Sequence, residues 1–231
     1  DFIGHATCPI VHAADDRSVM ESLESLPHIA HSVHRLWPGL AYHLGPSTLA
    51  ALRNPYGRAP RPNPERLRMP LADTDPRHQA AFGAAWTLGY AAAVAAQEVQ
   101  VLSLHHSHGP SGPLLDPAHP DAATSGPGAC VPGWNVLAAL AQAQGRPLLA
   151  CDGLPSALSA LAWQTGGGHP AVLIANLGQA DIRLACPAGS LARALHHPFQ
   201  RTAPQLLQAV PHAGLWLQPY DTLLLHVPAA A

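Results

Sequence analysis

Lysine is absent from this chain of 231 residues, and every one of its 12 basic side chains is an arginine. Charge is scarce altogether, at 11% of residues with a formal net charge of −2. That leaves no basic footprint, so nucleic acid is not an expected partner. No apolar run reaches the ~18 residues of a membrane span, which argues against insertion in a bilayer. The first residues lack the charged and apolar segments of a secretory signal, and the chain opens without methionine in what reads as a strand. Its four cysteines, Cys8, Cys130, Cys151 and Cys186, form no CxxC pair. A disulfide framework or zinc knuckle is therefore not expected, and the thiols read as free in a reducing cytoplasm. The want of lysine beside frequent alanine and 25 prolines reads as the codon usage of a GC-rich genome rather than as function.

What is present is organised in strand-then-helix units. Phe82-Gly83-Ala84-Ala85-Trp86-Thr87-Leu88-Gly89-Tyr90 follows Asp75-Pro76-Arg77 and runs alanine-rich to about Glu98, just before strand Val101–Leu104. Asp75 suits a helix cap and Pro76 the first helical position. The small residues Gly83, Ala84, Ala85 and Gly89 let that helix approach a sheet closely. Upstream, strand Phe2–Cys8 leads to a helix over Arg17–Leu36, capped by Asp16 or Ser18 and bent or split at Pro27. A second strand, Leu40–Leu44, ends in Gly45-Pro46-Ser47 and is followed by a long proline- and arginine-rich segment from Arg53 to Thr74. The third unit has strand Gln100–His105, a Gly/Pro-rich loop from Gly109 to Pro132, and a helix over Gly133–Gln144.

After Gly145 the texture changes to short strands with turn signals: 147–151, 158–165, 170–175, 182–186, 191–196, 215–217 and 222–227. Only Thr202–Ala209 competes as a helix. The expected fold class is α/β plus all-β. Residues 1–146 read as the C-terminal part of a (β/α)₈ TIM barrel, its last three βα units, and residues 147–231 as a small β-sandwich. Three units cannot close an eight-stranded barrel, so the missing strands are expected in an N-terminal part of the same polypeptide. The β module is a candidate surface for self-association into a homo-oligomer.

The segment from Cys8 to Glu21, with Pro9, Val11-His12-Ala13, Asp15-Asp16, Ser18 and Glu21, resembles a segment of the D-apionate lactonase-like family. Gly45-Pro46-Ser47-Thr48-Leu49 with Arg53-Asn54-Pro55, then Asp75-Pro76-Arg77, then Phe82–Gly89 match in the same order. Val172-Leu173-Ile174-Ala175-Asn176-Leu177 resembles a strand of the family's β module. The resemblance implies a TIM-barrel domain, a C-terminal β-sandwich and hydrolysis of a branched, apionolactone-type sugar lactone to its aldonate. One departure stands out: where the family has Tyr-Tyr-Glu-Thr-Thr-Gly, this chain has Leu104-His105-His106-Ser107-His108-Gly109, with His106 in place of the glutamate.

The chemistry-bearing residues gather at strand C-terminal ends, where a barrel does its work. His12, oriented by Asp15, or else His106, is the candidate general base for water attack on a lactone carbonyl. Asp15 and Asp16 read equally as helix caps. Arg53 and Asn54 are candidates for binding sugar hydroxyls or a carboxylate, with Thr7 and His108 as further substrate contacts. Alternation along a strand puts His106 and His108 on one face and His105 on the other. No acidic or cysteine ligand joins these histidines, so neither a metal nor another cofactor is expected. Ser47 lacks the Gly-x-Ser-x-Gly elbow of a serine esterase, and Trp86 and Trp134 read as core. A glycoside hydrolase is the alternative, needing two carboxylates at the bond. Glu21, Glu24, Glu65 and Glu98 are the chain's glutamates, and none ends a strand. A catalytically inactive carbohydrate-binding relative is a further alternative.

Overall fold

β1 (Phe2–His5), β2 (Ala41–Ser47) and β3 (Val101–Leu104) form a three-stranded sheet in sequence order, each neighbour pairing in parallel. The computed structural model describes residues 1–117, 119, 122–198, 206–211 and 214–228. Alternation gives this sheet two unlike faces. Ile3, Tyr42, Leu44, Leu102 and Leu104 join the main apolar core with the helices. Phe2, Gly4, His43, Val101 and Ser103 form the opposite face, where Phe2 is 62% and Val101 45% exposed. The Phe2 ring stacks on His43 there, at 4.2 Å.

The helical stretch after β1 is divided in three: α1 (Asp16–Glu21), a 3₁₀ turn over Ser22–Ser25, and α2 (Leu26–Leu36). The division puts Pro27 in the first turn of α2, where its missing N–H removes no helical bond. The cap of α1 is Asp15, one residue before the expected Asp16, and it accepts the Ser18 N–H at 2.9 Å. After β2 the long polar segment is tied in place rather than loose. Asn63 accepts the Leu67 N–H and donates to the carbonyls of Leu67 and Thr74. Leu71 N–H bonds to Ile10 O, joining this segment to the one after β1.

Asp75 caps a 3₁₀ turn over Pro76–Gln79, and α3 (Ala81–Val94) starts after it. α3 ends four residues short of Glu98, which has a left-handed φ of +50° in the closing turn. Eleven of its residues are buried because it lies between two sheets. Gly83 lets the preceding 3₁₀ turn pack against the start of α3: a Cβ there would meet His78 O at 2.6 Å and Arg77 O at 2.8 Å. The connection after β3 includes a short α4 (Ala122–Ser125), and α5 (Pro132–Leu140) follows, ending before the expected Gln144.

The C-terminal strands are β4 (Leu148–Leu149), β5 (Leu158–Gln164), β6 (Pro170–Asn176), β7 (Ile182–Leu184), β8 (Leu191–Ala194), β9 (Gln208–Ala209), β10 (Leu215–Leu217) and β11 (Thr222–His226). Six of them form an antiparallel sheet in the order β4-β5-β6-β11-β8-β9, while β7 pairs with β10. One face of the large sheet, with Leu161, Trp163, Leu173, Ala175 and Leu224, shares the core that includes α3. Its other face, with Leu158, Ile174, Leu223 and Leu225, packs with Leu217 of β10. The competing helix over Thr202–Ala209 falls partly on residues 202–205, outside the described residues, and its end forms β9. No helix among the described residues is long and apolar enough to cross a membrane.

Candidate active site

Because β1, β2 and β3 run parallel, the segments that follow them leave one end of the sheet. His12, Arg53 and His106 each sit on one of these segments. His12 is exposed, and the Tyr56 hydroxyl lies 3.5 Å from its Nε2. Asp15 does not orient His12. Its carboxylate holds the α1 cap, and those hydrogen bonds from Ser18 lower its pKa. Asn54 shapes the turn that carries Tyr56, accepting the Tyr56 N–H at 2.9 Å and donating to Ala59 O at 3.0 Å. Arg53 is exposed beside it.

At the third strand, alternation stops at Leu104. His105 has a left-handed φ of +67°, which turns its ring toward α3 and leaves His106 and His108 in a loop rather than on one strand face. His106 is half-buried and its N–H donates to Ser111 O, while His108 is exposed with Ser107 Oγ 3.0 Å from Nδ1. Thr7 belongs to a cluster of three hydroxyls. Its Oγ1 lies 2.9 Å from the Tyr90 hydroxyl and 3.1 Å from Ser47 Oγ. Ser47 and Tyr90 are themselves 3.1 Å apart. Burial raises the Tyr90 pKa, so this phenol stays protonated. Thr7 also lines a cleft of about 330 Å³ with His5, Cys8, Leu23, Trp86 and Tyr90. Burial likewise raises the Cys8 thiol, making it a poor nucleophile.

Two groups of residues were not singled out as sites in the sequence. The first is a buried imidazole chain: His105 Nε2 lies 2.8 Å from Thr87 Oγ1, His105 Nδ1 3.2 Å from His78 Nδ1, and His78 Nε2 3.1 Å from Gly112 O. Burial lowers both pKa values, so both rings are neutral. Gly112 O only accepts, so neutral His78 carries its proton on Nε2. Thr87 Oγ1 donates to Gly83 O at 2.6 Å and so accepts from His105 Nε2, leaving no proton between the two facing Nδ1 atoms. The second is an ionic node. Arg77 binds both Asp75 oxygens, at 2.9 and 2.6 Å, and donates to Asp16 at 2.9 Å. Arg68 closes the other Asp16 oxygen at 2.9 Å, and the Arg77 guanidinium lies 4.8 Å from the centre of the Phe82 ring. The Asp75 side chain is 1% exposed, so the Arg77 contacts stand in for the water it has lost.

Beside the node lies a second cleft, of about 420 Å³. One wall is the segment between β2 and α3, with Asn63, Arg66, Thr74, Asp75 and Gln79. The other belongs to the connection after β3, with Pro110 and Asp116. Arg66 spans the gap in an ion pair with Asp116. No group of three or more histidine, cysteine or carboxylate side chains suited to a metal ion occurs among the described residues.

Comparison with known proteins places this arrangement. Residues 1–145 match the model of the TIM barrel domain of D-apionate lactonase. The D-apionate lactonase of Brucella anthropi is 44% identical over 112 residues, covering 48% of this chain. The match spans only 18% of that relative's length. Among solved structures, a GH51 arabinofuranosidase from Xanthomonas axonopodis pv. citri superposes with a TM-score of 0.55 at 12% identity, covering 97% of this chain and 52% of the other. A 4-O-α-L-rhamnosyl-β-D-glucuronidase from Fusarium oxysporum does so with a TM-score of 0.51, again at 12% identity and over 97% and 52% of the two chains. At such identity these two share the fold alone, whereas the family match over residues 1–145 is one of sequence. By that match, the chain belongs to the D-apionate lactonase TIM barrel domain family.

Proposed function

We propose that this chain is the C-terminal part of a lactone hydrolase that opens a branched, apionolactone-type sugar lactone to its aldonate. In this reading the three parallel strands are the last of a (β/α)₈ barrel whose earlier strands lie upstream, and residues 147–231 are a β-sandwich that buttresses it. No disulfide joins the cysteines among the described residues, which suits a cytoplasmic enzyme. The observation that carries the reading is the meeting of separate family segments. Asp16, from the segment after β1, and Asp75, Arg77 and Phe82, from the segments after β2, converge on one node beside the cleft.

The chemistry needs a base but no cofactor. His106 or His12 takes a proton from water as the water oxygen bonds to the lactone carbonyl carbon. The tetrahedral adduct then expels the ring oxygen, which receives a proton from the imidazolium. The new carboxylic acid ionises, leaving a carboxylate and one free proton. Thr7, Arg53, Asn54 and His108 are the proposed substrate contacts, with Asn54 acting through the turn that sets Tyr56 beside His12. The glycoside hydrolase alternative is poorly served: Glu21, Glu24, Glu65 and Glu98 are all exposed, and the cleft carboxylates Asp75 and Asp116 are both ion-paired.

The test is apionolactone turnover by the complete enzyme and by its His12→Ala and His106→Ala variants. One of the two is expected to lose at least about a hundredfold in kcat, the usual contribution of a general base. Unchanged turnover in both removes both residues as bases. Lactone binding with no turnover in the unaltered enzyme favours the inactive carbohydrate-binding relative.

A further inference from the structure

The cleft between the two connecting segments carries a cation set under backbone constraint. Arg66 has a left-handed φ of +54°, a conformation unfavourable for a residue with a Cβ. The Asn63 side chain enforces it, bonding Leu67 at both N–H and C=O, while Arg66 N–H closes the turn on Asn63 O. The result aims the guanidinium across the cleft at Asp116. Asp116 is fixed from its own side: its N–H donates to Gln79 Oε1 at 3.0 Å, and the preceding Leu115 is buried with Ala129 and Val131. Both partners keep contact with solvent, at 47% and 30% side-chain exposure. Such a pair exchanges readily, because water replaces a lost partner at little cost. The other carboxylate on the cleft wall, Asp75, is held on two sides by Arg77 and does not compete for Arg66.

We propose that Arg66 is the carboxylate receptor of this cleft, held by Asp116 until a ligand carboxylate displaces it. The ligand class is a small hydroxy-carboxylate. The inference rests on the lactone-hydrolase reading, which explains the timing. A lactone is neutral and leaves the Arg66–Asp116 clasp closed. Ring opening creates a carboxylate, which matches the planar fork of a guanidinium. The clasp then switches partner, the two segments part, and the return of Asp116 to Arg66 expels the product.

The test is calorimetric binding of D-apionate to the complete enzyme, with apionate inhibition of lactone turnover measured alongside. Arg66→Gln is expected to weaken apionate binding about tenfold or more, the loss typical of a hydrogen bond to a charged group. In the same variant the inhibition constant for apionate rises more than KM for the neutral lactone. Asp116→Asn removes the competitor, so apionate binds more tightly and kcat falls as release slows. Arg66→Lys, which keeps the charge but not the fork, falls between wild type and Arg66→Gln. Equal apionate affinity in wild type and Arg66→Gln overturns the proposal, as does unchanged affinity in Asp116→Asn. Because binding is read without turnover, an enzyme that opens no lactone yet follows this affinity order loses the hydrolase reading and keeps the carboxylate site.

Discussion

His78 and His105 are 1% and 5% exposed, and each ring nitrogen faces a defined partner. Water cannot solvate an added proton there, so burial holds both pKa values below the ordinary 6.5, His105 well below. His78 and His106 add to the effect at His105, and His106 adds to it at His78, where the Gly112 carbonyl and then Asp75 partly oppose it. In the unfolded chain both rings titrate normally. Between the depressed folded values and about 6.5 the unfolded state therefore binds more protons, so stability is complete above that range and falls with acidification. Each ring contributes up to about 1.4 kcal/mol per pH unit in that window. His196 and His226 are also shifted down by burial, so the wild-type slope alone does not isolate the pair. A His78→Gln/His105→Gln variant does. Urea unfolding at pH 7, 6 and 5 is expected to show the wild type losing about 2 kcal/mol more than this variant across the range. Parallel stability curves for the two proteins contradict the assignment of neutral, buried rings.

α3 is the element on which the rest is assembled, and its two glycines have different neighbours. At Gly83 a Cβ would meet backbone carbonyls of the preceding 3₁₀ turn, which cannot move without displacing His78 and Arg77. At Gly89 it would meet Leu23 Cδ1 at 2.7 Å and Leu177 Cδ1 at 3.1 Å, the tips of side chains that can rotate away. Alanine gains about 1 kcal/mol of helix propensity at either site, set against an overpacking cost of about 1–3 kcal/mol. Gly83→Ala is thus expected to destabilise by about 1–2 kcal/mol and Gly89→Ala to be close to neutral in chemical denaturation. Equal effects at the two positions would sink the distinction. Both glycines were visible in the sequence as sites of close approach, but the carbonyls that face Gly83 were not. Local patterns were legible in the same way: turn signals between short apolar segments located β5, β6 and β11, and Asp75-Pro76 marked a helical start. What escaped depends on partners distant in sequence. His78 meets His105 across 27 positions, with no periodicity to join them. The left-handed turn at His105 also cancels the strand alternation that had paired His106 with His108. Arg53–Thr74 read as a polar loop because its order comes from the Asn54 and Asn63 side chains and scattered backbone hydrogen bonds rather than from a periodic pattern.

The three-stranded sheet is parallel, and parallel sheets are normally covered on both faces, because crossover helices take one and the rest of the fold takes the other. Here α1, α2 and α3 cover the face of Tyr42, Leu44 and Leu104, whereas Phe2 and Val101 on the opposite face remain 62% and 45% exposed. β1 and β3 are moreover unpaired on their outer edges among the described residues. In the proposed complete barrel this face turns inward and both edges gain a strand. Alone, the same face is an apolar surface with open hydrogen-bonding edges, the combination that drives chains to associate. The 231-residue chain is accordingly expected to self-associate with rising concentration in sedimentation experiments and to bind a hydrophobic dye. Replacing Phe2 and Val101 by threonine keeps β propensity while removing the apolar groups, so it should reduce both signals. If the unaltered chain stays monomeric and binds no dye, that face does not seek a cover, and the inference that upstream strands complete it fails. If only the complete enzyme stays monomeric and dye-free, the upstream strands are the cover.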